Sequence, residues 1–105
     1  IFHISKRFPA EERYSLTDQI RRCSRSVCAN LAEAYRKRKY PNHFVSKLSD
    51  SDTENGETQT WLAFALACEY ITKKEFDLLN NQAEEIARLL VYMMKNSEKF
   101  ITKSA

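Results

Sequence analysis

Leu16, Ile20, Cys23, Val27, Asn30 and Ala34 follow one another at spacings of four, three, four, three and four residues. That rhythm puts all of them on one face of an α-helix and rules out a strand over the same stretch. Nothing breaks the pattern before Tyr40-Pro41, so a helix is expected over about 15–38, roughly 36 Å long at 1.5 Å per residue. Ser15 stands where an N-cap belongs, with Asp18 three residues on and Tyr14 just outside. Asn30 is the one polar member of the seam. A buried amide left without partners costs on the order of 1–3 kcal/mol, so Asn30 is expected to find partners inside the bundle or at an interface.

The other segments read less evenly. Ile1, Ile4 and Phe8 recur at helical spacing and stop at Pro9, which disfavours helical geometry in the residue before it. Residues 1–8 thus read as the tail of a helix whose start precedes Ile1. Ala10 to Tyr14 is a polar connector of about one turn. Pro41 suits the first turn of a third helix, and Phe44, Val45 and Leu48 begin an apolar face. Ser49 to Thr60 is almost wholly polar and contains Gly56, so its local signals are those of a loop. Trp61 to Cys68 reads as buried, with alanines that favour helix over strand. Thr72-Lys73-Lys74-Glu75 is a capping box flanked by Ile71 and Phe76 as a hydrophobic staple. Phe76, Leu79, Ala83, Ile86, Leu90, Met93 and Phe100 then keep heptad spacing over about 73–100. Leu89 and Tyr92 widen that stripe, which calls for more than one neighbouring helix.

Composition narrows the class. One Gly and two Pro among 105 residues leave little turn chemistry for a β-sandwich or barrel. No apolar run approaches the roughly 20 residues of a membrane-spanning helix, and no membrane partner is expected. Long helices with short connections imply an antiparallel up-down four-helix bundle forming a single domain over 1–105. Cys23, Cys28 and Cys68 are an odd set without a C-x-x-C pair. They read as reduced core thiols in a cytoplasmic setting rather than a disulfide framework.

Charge is unevenly distributed. Residues 1–49 carry 11 basic and 4 acidic side chains, a balance of +7, whereas residues 50–105 carry 6 and 10, a balance of −4. Such a split marks either a polyanion-binding face or basic helices packed beside acidic ones.

Phe8-Pro9, Glu11-Glu12-Arg13-Tyr14, Leu16-Thr17-Asp18-Gln19-Ile20-Arg21-Arg22, Ser26, Asn30-Leu31-Ala32-Glu33, Glu57-Thr58-Gln59 and Trp61-Leu62 together carry a resemblance. They resemble the small bacterial four-helix-bundle proteins encoded in intervening sequences of 23S rRNA genes. That family in turn resembles the accessory variability determinant protein of diversity-generating retroelements. The resemblance implies a left-handed four-helix bundle assembled as a ring-shaped homopentamer, with most of the first helix before Ile1. It also implies one continuous third helix over about 42–69, against the local reading of a loop. The retroelement relative is basic and looks like a partner of nucleic acid and reverse transcriptase, which raises RNA or DNA as a candidate ligand here.

Candidate residues follow from both lines. Arg21, Arg22, Arg25, Arg36, Lys37, Arg38 and Lys39 all fall on or just after the second helix. Of these, Arg22, Arg25 and Arg36 face away from the apolar seam. Repeated around a ring, they would give the positive surface that phosphates require; the alternative is a solvated face with salt bridges to the third helix. Tyr40 and His43 lie close enough to stack a base. Asp18, Asn30, Glu33 and Glu57, with Arg21 and Glu54, are read as a structural polar network setting helix register. Catalysis is not expected. His3 and His43 stand alone, no two-ligand metal spacing occurs on one helix face, and one Gly builds no phosphate loop. No cofactor and no metal are expected. The outcome is a non-enzymatic binding or scaffolding protein, either for nucleic acid or for another protein alone.

Overall fold

The computed structural model describes residues 1–101, and residues 102–105 of the expected single domain lie outside the described residues. Four α-helices follow in order: α1 over Phe2–Ser5, α2 over Leu16–Arg36, α3 over Pro41–Ala67 and α4 over Lys73–Lys95. Short 3-10 turns cover Ala10–Glu12 and Ser97–Lys99, and no strand occurs among the described residues.

Cross-helix bonds give the directions. Ser51 Oγ donates to the Val27 carbonyl at 2.7 Å, Cys23 Sγ donates to Glu57 at 3.3 Å, and Lys47 Nζ pairs with Glu33 at 2.9 Å. As position falls on α2 it rises on α3, so the two are antiparallel. Asn55 Nδ2 donates to the Ala83 carbonyl at 2.8 Å and Gln59 Nε2 to Asn80 at 3.1 Å, which makes α3 and α4 antiparallel as well. The architecture is an all-α up-down bundle. α3 packs against both α2 and α4, whereas α2 and α4 barely meet. The result is elongated and thin, 53 × 24 × 17 Å.

α3 settles the conflict between local signals and resemblance in favour of helix. Ser49 to Thr60 is helical throughout, and the reading of a loop there is corrected. The reason lies in a second heptad seam whose middle is polar: Phe44, Leu48, Ser51, Asn55, Thr58, Leu62 and Ala65 are all buried. Ser51 and Asn55 hand their polar atoms to the backbones of α2 and α4, and Thr58 Oγ1 donates to the Glu54 carbonyl one turn back at 2.9 Å. Burial is therefore satisfied without an apolar side chain. Gly56 sits on the exposed face, where a Cβ would meet nothing within 4 Å.

Three further readings are corrected. Trp61 to Cys68 is not uniformly buried: Leu62 and Ala65 are, while Ala63, Phe64, Ala67 and Cys68 are exposed, because the inward-facing heptad positions alone are covered. α4 stops at Lys95 rather than 100. Asn96 turns its side-chain amide back onto the Tyr92 carbonyl at 2.9 Å, a local bond that competes with helix continuation. Leu89 and Tyr92, 56% and 46% exposed, meet no second helix within the chain.

Helix ends show how the turns are made. Thr72 caps α4 through its Oγ1, which accepts from the Glu75 backbone N–H at 3.1 Å, while Glu75 accepts from the Thr72 N–H at 2.9 Å. Ser15 precedes α2 without a side-chain cap bond and donates instead to Glu12. α3 closes on Glu69 at φ 62°, with the Tyr70 N–H reaching the Ala65 carbonyl at 2.9 Å, the left-handed turn that usually takes glycine.

The core forms two clusters. Phe8, Leu16, Ile20, Leu62, Ala65 and Ile71 fill one end; Ala34, Phe44, Leu48 and Leu90 fill the other. Between them the buried polar side chains of α3 carry the packing. A mostly apolar groove of about 450 Å³ runs over α3 between α2 and α4, walled by Val27, Leu79 and Ile86, with Ile1 and Phe2 of α1 at its side.

Candidate nucleic-acid interface

The basic residues divide into two groups. At the start of α2, Arg21 Nε donates to Ser5 Oγ at 2.7 Å and its guanidinium lies 4.7 Å from the Phe2 ring centre. Arg25 lies 5.5 Å from the same ring, and Arg22 pairs at 3.9 Å with Asp18 one turn earlier. Arg21 and Arg25 therefore hold α1 against α2 by cation–π contact, and Arg22 lies outward with Asp18 as its partner.

The second group follows the last turns of α2. Arg36, Lys37 and Lys39 are exposed, Arg38 is half-buried, and none of the four forms an ion pair among the described residues. Arg38 lies over Tyr35, 3.7 Å from its ring centre, and its Nε donates to the Tyr35 carbonyl at 3.0 Å. Lys37 lies 5.9 Å from the Tyr40 ring, which meets His43 edge-on at 6.1 Å. α3 begins immediately after at Pro41, so the turn presents this whole set at one end of the bundle. Ala32, Tyr35, Arg36, Arg38 and Lys39 line an open cleft there.

The expected polar network is not brought together. Asp18 serves Arg22, Asn30 is half-buried and bonds only the Ser26 carbonyl of its own helix at 3.0 Å, and Glu33 serves Lys47. Glu57 accepts from Cys23. Glu33 and Glu57 each make one separate bond between α2 and α3, and the buried links are made by Ser51 and Asn55. Their signal was the heptad spacing from Phe44 to Ala65, unread because polar residues occupy the middle of the seam.

Cys23, Glu54 and Glu57 place one ligand atom each within 4.8 Å of one another, across α2 and α3. Those atoms could offer a divalent ion one sulfur and two oxygens. Burial, then the bond to Glu57, pushes the Cys23 thiol up to about 11, so it keeps its proton and acts as a hydrogen-bond donor. Sequence spacing could not show this group, which is assembled by antiparallel pairing. Cys28 and Cys68 are exposed and Cys23 is buried, so the reading of all three as core thiols is corrected. His3 rests on Phe2 at 5.8 Å, against an aromatic ring as His43 is.

An all-α antiparallel bundle with a basic, aromatic turn at one end is the class this geometry defines. The family model of the 23S rRNA-intervening sequence protein matches residues 1–92, and the chain belongs to that family. Among solved structures, the chain is similar to a protein of unknown function from the S23 ribosomal protein family of Bacteroides thetaiotaomicron. Identity is 31%, the match covers 83% of this chain and 80% of that one, and the TM-score is 0.76. No curated protein matches the chain. The family carries no assigned enzymatic activity, and no helix among the described residues is long and apolar enough to cross a membrane.

Proposed function

We propose that this is a non-enzymatic cytoplasmic binding protein that assembles with copies of itself, as a homopentamer, and holds RNA or DNA by its phosphates. The observation that carries the reading is the cluster Arg36, Lys37, Arg38 and Lys39, none of which forms an ion pair among the described residues. The negative end of the α2 dipole lies at this turn and offsets part of that charge. The exposed heads of Arg36 and Lys39 therefore matter more than the total over residues 1–49. Arg21, Arg22 and Arg25 contribute less, since two of them brace α1 and the third is paired.

The test is fluorescence anisotropy with structured RNA and duplex DNA at two salt concentrations. Binding should weaken as salt rises, by roughly 0.7–0.9 in log-log slope per phosphate contacted, and Arg36→Glu/Lys39→Glu should abolish it. Absence of binding at about 50 mM salt, where phosphate contacts are strong, would sink the reading.

A second reading, a protein-binding scaffold without nucleic acid, draws on the exposed apolar side chains of α4. Leu78, Leu89 and Tyr92 are 60%, 56% and 46% exposed. In that reading the basic turn is a solvated helix end and the apolar face of α4 carries the partner.

A further inference from the structure

The Arg38–Tyr35 pair separates two clefts at the same end of the bundle. On one side is the open cleft bounded by Arg36 and Lys39. On the other is a narrower one of about 380 Å³, lined by Leu31, Tyr35, Arg38, Phe44, Met93 and Phe100, with Lys99 also on its wall. Phe100 stacks on Phe44 with ring centres 6.4 Å apart and planes at 28°, and Tyr92 meets Phe100 edge-on at 6.3 Å. Lys99 Nζ donates to the Tyr92 hydroxyl at 3.2 Å, which holds its charge beside these rings. Among the described residues, no carboxylate lines either cleft.

We propose that this end of the bundle binds single-stranded nucleic acid, with an unpaired base entering the Leu31–Phe100 cleft beside the Arg38–Tyr35 pair. The proposal rests on the phosphate-binding reading above and specifies its substrate. A surface meant only for duplex phosphates needs cations and gains nothing from a recess walled by Leu31, Met93 and Phe100. In a duplex the base faces are already stacked and cannot enter it. An unpaired base has two free faces, and aromatic rings and guanidinium planes receive them whatever the sequence. Arg38 is already laid over Tyr35 and tied to its carbonyl, so one platform is ordered before a base arrives. Cations on both sides, Arg36 and Lys39 at one cleft and Lys99 at the other, supply phosphate contacts along a strand that crosses the pair.

The experiment compares a short labelled single-stranded RNA, the same sequence in single-stranded DNA, and the corresponding duplex by anisotropy across a salt series. Single strands should bind at least about tenfold more tightly than duplex, the order expected for loss or gain of one stacked base. Tyr35→Ala should weaken single-strand binding by about that factor more than duplex binding, so that the preference for single strands is lost. Tyr35→Phe should retain binding. Lys99→Ala should instead reduce the single-strand slope by about 0.7. Tyr35 is 63% exposed, so its variants should keep the fold, which circular dichroism would verify. Equal affinity for single strand and duplex, or indifference to Tyr35→Ala, overturns the base cleft while the phosphate-binding reading stands. Failure to bind either form overturns both.

Discussion

Gly56 and Glu69 occupy each other's natural places. Gly56 lies in the exposed middle of a 27-residue helix, where its missing side chain relieves no contact. Glu69 holds the left-handed turn after that helix, where glycine carries no steric cost. Gly56→Ala should therefore stabilise the protein by about 0.5–1 kcal/mol. Glu69→Gly should give a similar gain, about 1 kcal/mol from relief of the left-handed strain. Thermal unfolding followed by circular dichroism measures both, and the two should add, because their sites share no partner. At this scale the sequence was informative about character and less so about partners. Thr72 and Glu75 form the box their spacing announces, since both halves are local. Asn30 shows the reverse: its seam position implied cross-helix partners, yet its amide is satisfied by its own helix.

α4 and α3 differ in how openly they declare themselves. α4 has an apolar stripe with a capping box at its start, and both are visible in sequence. α3 has helices on two flanks and a seam that turns polar at Ser51, Asn55 and Thr58. Hydrophobic periodicity therefore fades where the helix is most enclosed, and only the spacing persists. The cap also sets a pH dependence. The Thr72 backbone N–H, donating to Glu75, holds that carboxyl below its ordinary 4.5, with Arg7 adding to the effect. Lys47 does the same for Glu33. A carboxyl with a lowered folded-state pKa is charged in the native protein where the unfolded chain would bind a proton. Its stabilisation is therefore present above 4.5 and is lost as pH falls through the lower, native value. Unfolding temperature should drop on acidification below 4.5, and Glu75→Gln, which keeps the capping box without a titrating group, should flatten part of that drop. At neutral pH Thr72→Ala should cost about 1 kcal/mol through loss of the cap.

Over the whole molecule, the uneven charge of the two halves is partly an internal matter. Lys47 serves both Glu33 and Asp50, and Arg7 reaches Glu75, so opposite charges meet along the packed helices. What stays uncompensated is concentrated at the turn after α2. Self-association should follow the exposed apolar residues of α4 instead. Leu78→Glu/Leu89→Glu should lower the mass seen by light scattering toward 12.3 kDa while leaving helical content unchanged. An unchanged mass distribution would place the interface elsewhere. Fold class was legible in sequence because helix periods and caps are local properties. The cleft proposed to take a base was not, because Leu31, Phe44 and the pair Met93 and Phe100 come from three separate stretches that meet only after the chain has doubled back twice.

The central placement of α3 also bears on how the molecule comes apart. α2 and α4 barely touch, so neither can hold the other once α3 loosens. The side chains of Ser51 and Asn55 bond to backbone on opposite neighbours, which gives the middle of α3 a grip on each. Fraying at a helix end breaks few of these bonds, whereas opening the middle of α3 releases both flanks together. The most hydrophilic stretch of the sequence is thus the part on which cooperative unfolding turns, and its amide hydrogens belong to the slowest-opening unit of the protein.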